Sequence, residues 1–234
     1  MPKVSLSLIL PVYDDDAKLS KVITELEDRF LKLSFTDYEL LVFLSRNVRE
    51  SDKLVGDNAN VKVFREDSRE IGVIFARGIK ESHKDWVGIW PAYDQISPKS
   101  LDAIVPGFYD NDIVVAFIEN PEARQWHRRF FSALNTFLLN LLFGLNIRYY
   151  HLPFFRTVVI RNLKITSKGH AAISGTLIRI IKSGRSFVQS PFIMNPHYFP
   201  SKSGAFRFGN IKDIALSHSS LFWEMIILKK KAII

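Results

Sequence analysis

Two apolar runs near the start of the chain, "LSLILPVY" (Leu6 to Tyr13) and "YELLVFLS" (Tyr38 to Ser45), restrict its fold more than any other feature. A strand with one wetted face alternates apolar and polar side chains, whereas these runs are apolar at successive positions, as strands covered on both faces are. Three more strand candidates complete the series: "VKVF" (Val61 to Phe64), "WVGIWP" (Trp86 to Pro91) and "DIVVAFI" (Asp112 to Ile118). Between them Leu19, Val22, Ile23, Leu26 and Phe30 recur at helical spacing, as do Ile74, Ile79 and their neighbours. Strands and helices alternating through short connections predict an α/β fold with a mostly parallel central sheet flanked by helices, which places ligands at the carboxyl ends of the strands. The loops after Tyr13, Ser45 and Trp90 are therefore where a site is expected.

The second half has a different rhythm. Its pattern predicts a helix from about Arg124 to Leu145, then "RYYHLPFFRTVVIR", a helical segment near Ala171 to Ser183 ending at Gly184, a strand-like "SFVQSPFIM" and a basic, aromatic tail. With no internal repeat and no long linker, the 234 residues are expected to form one domain. Within it three stretches are distinguished, residues 1–120, 121–210 and 211–234. Thirty-two basic against 24 acidic side chains give a net charge of +8 and a pI near 9.6, which favours phosphate in nucleic acid, nucleotide or anionic lipid. No nucleic-acid reader motif accompanies the charge. The absence of cysteine excludes disulfides, thiolate catalysis and cysteine-ligated zinc. The apolar stretch Val4 to Val12 runs into aspartates without a cleavage site, so a cytoplasmic protein is expected. From Phe130 to Ile147 no residue is charged, yet Ser132, Asn135, Thr136, Asn140 and Asn146 argue against lipid on all sides. A helix half sunk in protein or in a membrane surface is the expectation.

Laid end to end, these stretches resemble the family-2 glycosyltransferases of the GT-A (Rossmann-like) fold, in particular the dolichyl- and undecaprenyl-phosphate sugar transferases. The resemblance runs in order through "LSLILPVYDDDAKLSKVITEL", "YELLVFLSRN", "GVIFARGI" around Gly72, Ala76 and Gly78, and "WVGIWPAYDQISPKSL". It is closest at "RRFFSALNTFLLNLLFGLNIR" and ends with "GAFRFGNIKDI". It implies transfer of a sugar from a nucleotide-sugar donor to a polyprenyl phosphate or glycolipid at the inner face of a membrane. Pro11, Tyr13, Asp14 and Asp15 match the turn that cups the nucleoside, where a carboxylate suits a ring N–H. Asp14 to Asp16 are equally suited to cap the following helix.

Elsewhere the chain departs from that pattern. Leu44, Ser45, Arg46 and Asn47 stand where the family has Asp-Asp-Gly-Ser, leaving Ser45 or Asn47 to contact base or ribose. Pro91, Ala92 and Tyr93 replace the paired aspartates that hold a divalent cation on the sugar diphosphate, and the nearest carboxylate is displaced to Asp94. Three readings follow: Asp94 holds a Mg2+ or Mn2+ ion with help from phosphate oxygens; arginines neutralise the diphosphate without metal; or turnover is lost and a binding protein remains. Arg128, Arg129, Ser132 and Asn135 match the residues that receive the acceptor phosphate, and a guanidinium beside a hydroxyl suits that group. Tyr149 or Tyr150 replaces the second acidic motif and Pro153 its glycine, leaving His151 as the candidate base. Lys202 and Arg207 fall in the stretch that approaches the diphosphate. "LFWEMIILKKKAII" sets Phe222, Trp223, Met225 and Ile226 beside three lysines, the makeup of a segment that contacts a membrane surface or a membrane protein.

Overall fold

A computed structural model describes residues 4–13, 18–46, 48, 58–195 and 218–223. Of the residues singled out above, Asp14, Asp15, Asp16, Asn47, Lys202, Arg207, Met225 and Ile226 lie outside that set. Seven strands form one sheet: β1 (Leu6–Val12), β2 (Tyr38–Ser45), β3 (Val61–Glu66), β4 (Trp86–Ile89), β5 (Ile113–Ile118), β6 (Pro153–Arg156) and β7 (Phe187–Phe192). Their spatial order is β3-β2-β1-β4-β6-β5-β7. Six run the same way; β6 alone is antiparallel, to both β4 and β5.

The apolar runs behave as their composition requires. Every residue of β1 is buried, with Leu8, Leu10 and Val12 turned to one face and Ile9 to the other, the period-two alternation of a strand covered on both sides. On the first face they meet Leu19, Val22, Leu26 and Phe30 of α1 (Lys18–Lys32). On the second, Ile9 packs with Ile74, Phe75 and Ile79 of α2 (Ile71–Glu81) and with Ile173 and Leu177 of α4 (Ala171–Lys182). α4 is buried almost all round, Ser174 and Thr176 included.

The helix between these last two, α3 (Trp126–Phe143), is inside out. Leu139 and Phe143 are its buried residues, while Trp126, Phe130, Phe137 and Leu141 are 77%, 58%, 62% and 69% exposed. Arg128, Ser132, Asn135, Thr136 and Asn140 are half-buried. Asn140 explains the orientation. Its amide donates to the Ile147 carbonyl (2.8 Å), and its oxygen accepts from the Ile147 N–H (3.0 Å) and the buried Tyr150 hydroxyl (2.7 Å). A polar side chain whose bonding capacity is met this fully stays inside, and it turns the apolar stripe outward. Gly144, in the left-handed conformation (φ 60°), then ends the helix.

At the amino edge of the sheet a buried carboxylate ties strands together. Glu39 on β2 accepts from its register partner Ser7 (2.7 Å), from the His83 N–H (2.6 Å) and from the Lys62 ammonium (2.8 Å). Burial pushes its pKa up, but these donors outweigh burial and hold it below the ordinary 4.5. As pH falls the unfolded chain therefore takes up the proton first, so the stabilisation is complete above about pH 4.5 and is lost as pH drops through the folded value. Glu39→Ala is expected to lower stability by about 2–3 kcal/mol, since it takes the acceptor from the buried Ser7 hydroxyl and from the His83 amide and Lys62 ammonium. In urea titrations at pH 7 and pH 3 the difference between wild type and variant should shrink at the acid end.

Candidate functional site

The sheet order determines where a ligand can sit. Leaving β1, the chain adds β2 and β3 on one side, then returns to place β4 on the other, so the strand order reverses between β1 and β4. In open α/β sheets ligands are held at such a reversal, outside the carboxyl ends of the two strands. Tyr13 follows β1 and Tyr93 lies four residues past the end of β4. The Tyr13 N–H donates to the Tyr93 hydroxyl at 2.9 Å. Arg69, between β3 and α2, sets its guanidinium 5.9 Å from the centre of the Tyr13 ring. Burial raises the Tyr13 pKa far above its usual value, with Tyr93 adding to the effect and Arg69 opposing it, so the phenol stays protonated and able to donate.

The loop from Trp90 is packed against the segment after β7. Trp90, Ala92 and Ile96 are buried, and Ile96 bridges to Met194 beyond β7. The Asn195 N–H donates to the Gln95 carbonyl (2.9 Å) and the Ser97 N–H to the Ile193 carbonyl (3.0 Å). Asp94 closes the same seam. One of its oxygens accepts from the Lys21 ammonium of α1 at 2.7 Å, and the other from the Asn195 amide at 3.0 Å. Partial burial acts to raise its pKa, but Lys21 and Asn195 outweigh it and keep the carboxyl below the ordinary range. This donor set does not fit a divalent cation. Both oxygens of Asp94 are engaged by cationic or amide donors, Pro91 and Tyr93 supply no carboxylate, and among the described residues no group of three or more His, Cys, Asp or Glu side chains is placed to hold a metal.

The other expected residues are placed as follows. Pro11 is buried near the carboxyl end of β1, opposite Phe43 and two residues before Tyr13. Ser45 is buried at the end of β2, and the following Arg46 forms a two-pronged pair with Asp67, one residue past β3. Arg128, Ser132 and Asn135 share the inward side of α3, while Arg129 points outward. His127, Arg128 and Arg129 fill the first turn of α3, where no acidic residue offsets the helix dipole, a placement that costs stability unless an anion is nearby. His151 stacks edge-on with Tyr149 (5.5 Å) and His170 (6.2 Å). Burial, followed by the charges of His170, His218 and Arg124, pushes its pKa down to about 3. A base this weak accepts a proton poorly at neutral pH, so burial has removed the property that made His151 a candidate.

Arg69, Lys21 and Asn195 escaped the sequence reading. Arg69 was within reach of it, because it lies just beyond the carboxyl end of β3. Lys21 and Asn195 were not, since they reach Asp94 from 73 and 101 residues away.

The sheet order, its single antiparallel strand and the flanking helices are those of the GT-A fold of nucleotide-sugar glycosyltransferases. Solved structures of this fold superpose on nearly the whole chain. Glucosyl-3-phosphoglycerate synthase from Mycobacterium tuberculosis, in complex with Mn2+, UDP and phosphoglyceric acid, matches at a TM-score of 0.71 with 15% identity, covering 94% of this chain and 78% of that one. The same enzyme with Mg2+ and UDP matches at 0.68 with 14% identity, covering 93% and 79%. A structure described as a mycobacterial protein matches at 0.71 with 16% identity, covering 93% and 74%. No protein-family model matches the chain, and no curated protein matches it in sequence.

Proposed function

We propose that this protein is a glycosyltransferase that moves a sugar from a nucleotide-sugar donor to a phosphate-bearing acceptor, of which a polyprenyl phosphate or glycolipid is the leading class. The observation that carries the reading is the reversal of strand order between β1 and β4, with the Tyr13–Tyr93 hydrogen bond and the Arg69 guanidinium gathered at the strand ends. Support comes from the fold neighbours, which hold UDP or UDP-glucose together with phosphoglyceric acid, itself a phosphorylated acceptor. Tyr13, with Asp14 and Asp15, would hold the nucleoside; Arg128, with Ser132 and Asn135, the acceptor phosphate; Lys202 and Arg207 the diphosphate.

With a polyprenyl phosphate, an acceptor phosphate oxygen attacks the anomeric carbon. The bond from that carbon to the nucleotide diphosphate breaks, and its electron pair leaves with the diphosphate. A phosphate nucleophile is already ionised at neutral pH, so the chemistry needs no strong base, consistent with the weakness of His151. Fixed cations on the chain stabilise the departing charge. Incubation with labelled UDP-sugars and either a polyprenyl phosphate or a small phosphorylated acid should move label into the organic or the aqueous acceptor fraction. Arg128→Ala is expected to cut the rate by about a hundredfold. Label that stays on the nucleotide with every acceptor would defeat the proposal.

A second reading, a GT-A-fold binding protein without turnover, draws on the Lys21–Asp94–Asn195 tie, which uses the one carboxylate left in the rewritten loop. It is distinguished by nucleotide or acceptor binding without label transfer.

A further inference from the structure

We infer that the outward face of α3 is the surface by which this protein rests on an anionic lipid bilayer. At about 100° per residue, the exposed apolar positions from Trp126 to Leu142 sweep an arc of roughly 160°. That arc is wider than the stripe with which a surface helix meets its own core, and on this helix it points away from the protein. Near the helix end Phe222 packs edge-on against the buried Phe143 (6.1 Å), and its neighbour Trp223 is 58% exposed.

Charge selects the occupant. From Ala123 to Lys212 the sequence contains no aspartate or glutamate against fourteen lysines and arginines, so every acidic side chain of the protein lies outside the stretch that carries α3. Basic groups flank the band: exposed Arg129 in its first turn, and Lys182, whose ammonium donates to the carbonyl of Phe143 at 3.1 Å. Apolar side chains between cationic ends suit acyl chains beneath anionic headgroups. No described helix is long and apolar enough to cross a membrane, so α3 lies along the interface. This arrangement turns the polar side of the helix, with Arg128, Ser132 and Asn135, towards the protein while the opposite side is sunk in lipid.

The test needs no donor sugar and is independent of whether the protein transfers one. Full-length protein is sedimented with vesicles of phosphatidylcholine alone, or with about one-third phosphatidylglycerol. We expect binding to the anionic vesicles at least about tenfold tighter, weakening as salt is raised. Phe137→Asp with Leu141→Asp should reduce it by at least about tenfold again. Leu31→Asp, an equally exposed apolar position on α1 (77%), should leave binding unchanged, and an unaltered thermal midpoint checks that each variant is folded. Equal binding to both vesicle types, or undiminished binding by the folded double variant, overturns the inference. So does a wild-type dimer that ignores vesicles and is split by the double variant, which would give this face to a second copy of the chain.

Discussion

Replacing Gly72 with alanine is expected to lower the unfolding free energy by about 2–3 kcal/mol, although alanine is the better helix former by about 1 kcal/mol. The reason is contact with backbone, which cannot swing aside as a side chain can. A Cβ at this position would lie 2.5 Å from the carbonyl oxygens of both Ser167 and Lys168, and 2.7 Å from the Cβ of Ala172. The Gly72 N–H, one of the donors left over in the first turn of α2, meanwhile bonds the Lys168 carbonyl at 2.6 Å. Forcing the segments apart loses that bond and lifts the loop that leads into α4. Gly169→Ala is the comparison, since nothing lies within 4 Å of its Cβ, and it should be neutral or slightly stabilising. In thermal melts the Gly72 variant should fall by roughly 5–10 °C and the Gly169 variant should not. Equal midpoints for Gly72→Ala and wild type would show that the α2–α4 junction is looser than its geometry implies.

That junction also shows what the sequence can and cannot disclose. The "GVIFARGI" stretch was legible as a helix with glycines in its resemblance to a known pattern, but the need for them lies in partners far along the chain: Lys168 and Ala172 for Gly72, Ile9 for Gly78. The strands β1, β2, β4 and β5 were legible because burial on both faces imposes local composition. The strand β6 was not. Pro153 to Arg156 is four residues long, and its strand character comes from insertion between β4 and β5, a pairing that no local period encodes. The amphipathic pattern of α3 was equally plain, but a pattern gives two faces without saying which one is inside. That choice rests on the bonds of Asn140 to Ile147 and Tyr150. At the candidate site the strand-end loops were predictable from topology, and Tyr13 and Tyr93 do meet there. The fate of Asp94 depended on two distant residues, and the protonation of His151 on burial that appears only once the chain is folded.

If the site at the ends of β1 and β4 holds a nucleotide, UDP at about a hundredfold excess over its Kd should stabilise the protein by about 2.7 kcal/mol, because a ligand that binds only the folded state shifts the equilibrium by mass action. For a chain of this length that is a rise of roughly 5–10 °C in thermal midpoint. Tyr13→Ala should abolish most of the rise, since it removes the ring that the Arg69 guanidinium faces. Asp94→Asn separates the two readings of the rewritten loop. A carboxylate already engaged by Lys21 and Asn195 is a clamp between α1 and the segment after β7, so the variant should keep its nucleotide shift. The ligand-free midpoint should fall by only about 1–3 °C, because Lys21 is half exposed and an ion pair so placed contributes little. A nucleotide shift that requires Mn2+ or Mg2+ and disappears in Asp94→Asn would instead make Asp94 a cation ligand that Lys21 surrenders on binding. No shift with any nucleotide would remove the donor from the proposed function and leave the fold without its ligand.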